Sequence, residues 1–183
     1  MVAIQEQALL AQLRDPAQRS AAFGQLVHVH QRMLYYHIRR MVLDHADADD
    51  VLQNTLLKAW RNLDSFRGDS ALRTWLYRIA TNEALTHLRQ QQRRAYSDVK
   101  DLQDDARYSH GPSGDPDGEA IQRKLLAAIA TLPDRQRAVF NLRYFDELPY
   151  AEIARILGVT EGSLKASYHH AVKKIEQRLA TDH

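Results

Sequence analysis

The chain contains no cysteine, which excludes a disulfide framework and any thiolate metal site. That absence fits a reducing cytoplasm. No apolar run approaches the roughly 20 residues that span a bilayer, so no membrane insertion is expected. The N-terminal stretch MVAIQEQALLAQLRDPAQ has no basic segment followed by a long apolar one, and does not read as a secretory signal. Glycine (7) and proline (5) are scarce, and β-branched residues rarely cluster. The sequence therefore predicts an all-α protein. No nucleophile–base pair, phosphate-binding glycine loop or metal-ligand set stands out, so neither a catalytic site nor a metal or other cofactor is expected. The histidines do not alter this. His28 and His30 are two apart and His169 and His170 adjacent, so neither pair shares a helix face. Excess charge of one sign is also lacking: the net charge is +2. Any affinity for a polyanion must come from how the charges are placed.

That placement is uneven. Residues 47–94 read as two helices joined by a polar elbow. The first carries Val51, Leu52, Thr55, Leu56, Ala59, Trp60 and Leu63 on one stripe, and the second Leu72, Trp75, Leu76, Ile79, Ala80 and Leu88. Between them Gly68 breaks the helix, and Asp69 or Ser70 is suited to cap the next. The second helix sets Arg73, Arg78, Arg89, Arg93 and Arg94 against one acid, Glu83. A basic helix entered through a polar elbow suits a polyanion.

Upstream, residues 4–13 predict a short amphipathic helix. Asp15-Pro16 reads as N-cap and first residue of a longer one reaching about Leu43, with Phe23, Leu26, Val27, His30, Leu34, Ile38 and Val42 inward. The acids at 44–50 suit the start of a helix. Downstream, residues 96–118 hold most of an acidic, Gly- and Pro-punctuated run, too polar to bury a core. It predicts a flexible linker between two helical domains, 1–95 and 119–183. In the second domain, Ala120–Ala130 places Ile121, Leu125, Ala128 and Ile129 inward. Asp134 caps a helix over 135–145, with Ala138, Val139, Leu142 and Phe145 inward.

PYAEIARILGVTEGSLKASYHHAVKKI has the form of a helix-turn-helix. Ala151, Ile153, Ala154 and Leu157 pack the first helix. Gly158 supplies the left-handed turn residue. Val159 plugs the interior, Thr160 caps the second helix and Leu164 anchors it. Ser163, Lys165, Ser167, His169, His170, Lys173 and Lys174 then face outward, where a major-groove helix meets base edges and phosphates.

DADDVLQNTLLKAW, FRGDSALRTWLYRIATNEALTHLR and LPDRQRAVFNLRYFDELPYAEIARILGVTEGSLKASYHHA together resemble bacterial sigma factors of the sigma-70 family. The length and two-part layout resemble its extracytoplasmic-function (ECF) subfamily. The resemblance implies that residues 1–95 are sigma domain 2 and 119–183 sigma domain 4. The partners implied are core RNA polymerase (β′ clamp helices and β flap), promoter DNA and an anti-sigma factor. Asp47, Asp50, Val51, Gln53, Asn54 and Leu57 would face the core, with Asn54 standing where glutamate is usual. Ser65, Phe66, Arg67, Gly68, Asp69, Trp75, Arg78, Asn82 and Arg89 would serve the −10 element, the elbow accepting a flipped base. Tyr77 joins Trp75 as a possible aromatic contact. Thr160, Ser163, Lys165, Ser167, His169, His170 and Lys173 would serve the −35 element. Thr86 stands where aspartate is common, and positions 167, 170 and 172 lack the usual arginines. Two other readings stay open: a regulator that binds operators through the helix-turn-helix alone, and a purely protein-docking module.

Overall fold

The computed structural model describes residues 2–97 and 116–181, with side chains over 6–96 and 120–181. All regular structure among the described residues is helical. The expected linker falls mostly on residues 98–115, outside the described residues.

Helices α1 (Val2–Arg14), α2 (Arg19–Val42), α3 (His45–Arg61) and α4 (Leu72–Ser97) form the first bundle. A short 3-10 turn, Leu63–Ser65, follows α3. The expected stripes meet in one core of Leu26, Leu34, Ile38, Val51, Ala59, Leu72, Leu76, Ala80 and Leu88. Ala48, Ala59, Ala80 and Ala84 are fully buried, and their small side chains let α2, α3 and α4 approach closely. Each buried leucine contributes about 1.5–3 kcal/mol.

Several local expectations are corrected. Proline 16 does not open α2. Asp15 closes a turn instead: its backbone carbonyl accepts from Arg19 N–H at 2.8 Å and its carboxylate from Ala17 N–H at 3.0 Å. The helix starts three residues late because the Asp15 side chain bonds locally, as aspartate does in turns. Trp60 is not a core anchor. It is 37% exposed, edge-on to Phe23 at 5.0 Å, with the Arg19 guanidinium 5.4 Å over its ring.

Helices α5 (Pro116–Ala130), α6 (Asp134–Tyr144), α7 (Tyr150–Leu157) and α8 (Glu161–Thr181) form the second bundle. In two helices most inward positions are as expected (Ala128, Ile129 and Ile153 are buried), but one position in each is wrong and one is missed. Leu126 is buried and Ile121 exposed in α5; Ile156 is buried and Ala151 exposed in α7. Asp134 is the first residue of α6 rather than its cap, and pairs with Arg137 at 3.3 Å. The turn between α7 and α8 is as expected. Gly158 takes φ 67°, and Thr160 Oγ1 accepts from Ser163 N–H at 3.3 Å.

The two bundles pack against each other. Ala138 and Leu157 join the first core, and Tyr77 and Met33 join the second. At the centre lies Asp146, from the turn after α6. Its carboxylate accepts from Arg40 Nη2 at 2.8 Å and pairs with His37 Nδ1 at 3.0 Å. His37 Nε2 meets Thr81 Oγ1 at 2.9 Å. Burial alone would raise the Asp146 carboxyl, but the His37 bond and charge and the Arg40 charge outweigh it and hold the group below its usual range. Arg137 Nη1 donates to the Met41 carbonyl, and Thr74 Oγ1 to Glu152 Oε2 at 3.3 Å.

Candidate nucleic-acid interface

The elbow and the first half of α4 build one cleft of about 360 Å³. Ser65, Phe66, Arg67 and Asp69 enter from the elbow, and Trp75, Arg78 and Asn82 from α4. Trp75, Arg78, Ile79 and Asn82 are three or four apart and so share a face. Phe66 is buried and its ring lies 5.1 Å from that of Trp75, closing the floor. Trp75 is half-buried, while Arg67, Arg78 and Asn82 are exposed. A partly exposed ring among guanidinium and amide groups can stack on a base and meet its polar edge.

Sequence reasoning missed Lys58 and Asn62 in this cleft. Lys58 and Asn62 are one turn apart at the end of α3, and Asn62 Nδ2 donates to the Lys58 carbonyl at 2.8 Å. Their position before the elbow was the available signal. Lys58 Nζ also contacts Glu83 at 2.6 Å, so that acid is taken up by Lys58.

Three expected contributors lie elsewhere. Arg89 is outside the cleft, beside Gln92, Arg93 and Tyr96 further along α4. Gly68 does not line it, though its φ of 81° turns the elbow. Tyr77 is fully buried on the opposite side of α4, against the second bundle. Its phenol is pushed well above the ordinary range by burial and by the Asp146 charge. It offers no ring to a base. The capping expectation also fails: Leu72 N–H, at the start of α4, donates to Glu6 Oε1 of α1 at 2.6 Å.

On α3, Asp50, Gln53, Asn54 and Leu57 form one exposed stripe. Val51 is 1% exposed and belongs to the core, so it cannot face a partner. Asp47 is half-buried and turned towards α4, accepting from Gln91 Nε2 at 2.6 Å and lying 3.4 Å from His87 Nε2.

On α8, Leu164 is buried as the anchor, and Ser163, Lys165, His169, His170, Lys173 and Lys174 are exposed. Thr160 is exposed just before the helix. Ser167 is half-buried, in a groove with Arg135, Val139 and Leu157. Lys165 Nζ lies 5.8 Å over the Tyr150 ring.

Comparison with known proteins matches both halves. The family model "Sigma-70 region 2" matches residues 26–94, and "Sigma-70, region 4" matches residues 122–175. The chain is 35% identical to the RNA polymerase sigma-H factor of Pseudomonas aeruginosa, over 96% of this chain and 94% of that protein. It is 34% identical to the ECF RNA polymerase sigma-E factor of Escherichia coli K12, over 86% of each. Among solved structures, the sigma factor RpoE of Bartonella quintana, in complex with the anti-sigma factor NepR, superposes with a TM-score of 0.73 at 25% identity, over 88% of this chain and 98% of that one. CnrH, in complex with the cytosolic domain of CnrY, gives 0.72 at 25% identity, over 97% of this chain and 99% of that one. Among the described residues no helix is long and apolar enough to cross a membrane.

Proposed function

Because the chain belongs to the sigma-70 family of bacterial RNA polymerase sigma factors, in its extracytoplasmic-function group, we propose how its surfaces divide the work of promoter-specific initiation. The protein binds core RNA polymerase, directs it to −10 and −35 promoter elements, and is held in check by an anti-sigma factor. Residues 1–95 act as domain 2 and 119–183 as domain 4, with the acidic segment 96–118 between them. The chain is a specificity subunit that works in the cytoplasm with the polymerase and brings no catalytic site of its own.

The observation that carries this reading is the cleft between the elbow and α4. It gathers seven of the nine residues expected at the −10 element. Its size suits one extruded base, with Trp75 for stacking and Asn82 and Arg78 for polar edges. Unpairing and unstacking that base costs a few kcal/mol, which stacking offsets at about 1–3 kcal/mol. The stripe Asp50–Gln53–Asn54–Leu57 faces core polymerase, and the exposed face of α8 reads the −35 element. Substituting Trp75→Ala in reconstituted holoenzyme tests the cleft. Melting of the −10 element, followed by permanganate reactivity of unpaired thymines, should fall about tenfold or more, while polymerase binding is kept. Unchanged melting would remove the cleft from the mechanism.

A further inference from the structure

The elbow between α3 and α4 is held at both ends by residues that precede the region-2 match. At its far end, Glu6 Oε1 accepts the Leu72 N–H at 2.6 Å. Leu72 opens α4, where backbone N–H groups have no partner within the helix and the dipole favours an anion. At its near end, Arg19 donates from both terminal nitrogens to the Asp64 carboxylate, at 2.8 and 3.2 Å. That guanidinium is itself steadied 5.4 Å over the Trp60 ring. Two buried side chains also anchor this stretch, Leu63 just before the near tether and Phe66 between the two. Phe66 is the floor of the cleft.

We propose that Glu6 and Arg19 are positioning residues for the −10 cleft. They fix the two ends of the elbow, so that Phe66, Arg67 and Asp69 stand in the base-accepting arrangement before DNA arrives. The inference rests on the −10 reading of the cleft given above. Its physical basis is preorganisation. A loop pinned at both ends has lost much of its freedom before the base enters, so less of the binding free energy goes into ordering it. Neither residue lines the cleft. Their effect passes through the α4 N-terminus and the 3-10 turn.

The test uses holoenzyme reconstituted with core polymerase and fork-junction DNA built from a promoter found by run-off transcription. One probe carries the −10 element with its non-template strand single-stranded. A second has that element scrambled, and a third carries only the −35 duplex. Glu6→Ala should reduce discrimination between the first two probes about fivefold, the scale of a lost helix cap. Glu6→Gln keeps an acceptor oxygen and should recover most of it. Arg19→Ala should act in the same direction, more weakly because the Asp64 partner is exposed, and the double variant should exceed either. Core affinity and binding to the −35 probe should stay at native values. Amide hydrogen exchange at Leu72 should speed up in Glu6→Ala and return towards native in Glu6→Gln. Native discrimination in both single variants, with loss in Trp75→Ala, would overturn the inference and leave the cleft reading standing. Native discrimination in Trp75→Ala as well would defeat that reading and the inference with it. An equal loss on all three probes would mark the tethers as general supports of the fold and also overturn the inference.

Discussion

Gly158 adopts φ 67° and ψ 39° between α7 and α8, a backbone state that costs an L-residue about 1–2 kcal/mol. A Cβ there would meet nothing within 4 Å, so only backbone strain opposes substitution. Gly158→Ala should lower unfolding stability by about that 1–2 kcal/mol, and Gly158→Asn by less, as urea denaturation midpoints would report. This residue was legible because its conformation is a local property of the turn. Asp146 was not. Its partners His37 and Arg40 lie more than a hundred positions away, and no spacing rule connects them. Its lowered pKa has a defined consequence for stability. The carboxylate stabilises the fold at pH values above the ordinary 3.8, and that contribution is lost as pH falls through the depressed native value. The difference in thermal stability between the native chain and Asp146→Asn should therefore shrink as pH falls below about 4. The charged or titratable neighbours in that arrangement include His37, Arg40 and Tyr77, with Arg73 Nη2 on the Asp146 backbone carbonyl at 3.3 Å.

Among the elements, α3 and α4 were the most readable, because their apolar stripes run at helical period over several turns. The same periodicity separates the outward stripe of α3 from Val51, which it buries. The family resemblance had placed Val51 with the partner-facing set, against its place on the apolar stripe. If the stripe docks on core polymerase, Leu57→Ala and Asp50→Arg should each weaken core binding about tenfold, the scale of an interface hot spot, without changing the melting temperature. Competition against a labelled native chain would measure it. The elbow was half legible. Gly68, Phe66 and the polar residues mark it, and seven expected residues meet in its cleft. Its helix cap was assigned to Asp69 or Ser70 because cap rules look a few residues upstream, whereas the acceptor, Glu6, sits 66 positions away. The start of α2 was misread for a related reason. Asp15-Pro16 satisfies the sequence pattern of a helix start, but the Asp15 carboxylate is used by the turn.

For the whole molecule, the all-helical class and two-bundle order followed from composition and motif order. The packing between the bundles did not, because it rests on contacts such as Arg137 to Met41 and Thr74 to Glu152 that join distant parts of the chain. That packing has a geometric consequence. A compact chain of 183 residues has a radius of gyration of about 16 Å, hence a diameter of about 40 Å. Elements centred about 25 base pairs apart are separated by about 85 Å of straight duplex at ~3.4 Å per step. The packed arrangement cannot touch both at once. The chain from Ser97 to Pro116 reaches at most about 65 Å, enough to let the bundles part. Energy transfer between dyes on α2 and the end of α8 should be high in the free protein and fall on the holoenzyme–promoter complex. Asp146→Ala should lower it in the free protein as well.

As a sigma factor, this chain confers promoter choice on RNA polymerase. Run-off transcription with purified bacterial core polymerase, with and without the protein, on a pool of genomic promoter fragments tests it most directly. Discrete transcripts should form only when both are present, with shared sequences near −10 and −35 upstream of their starts. No protein-dependent transcripts, with unaided binding of the chain to palindromic half-sites about one helical turn apart, would contradict it.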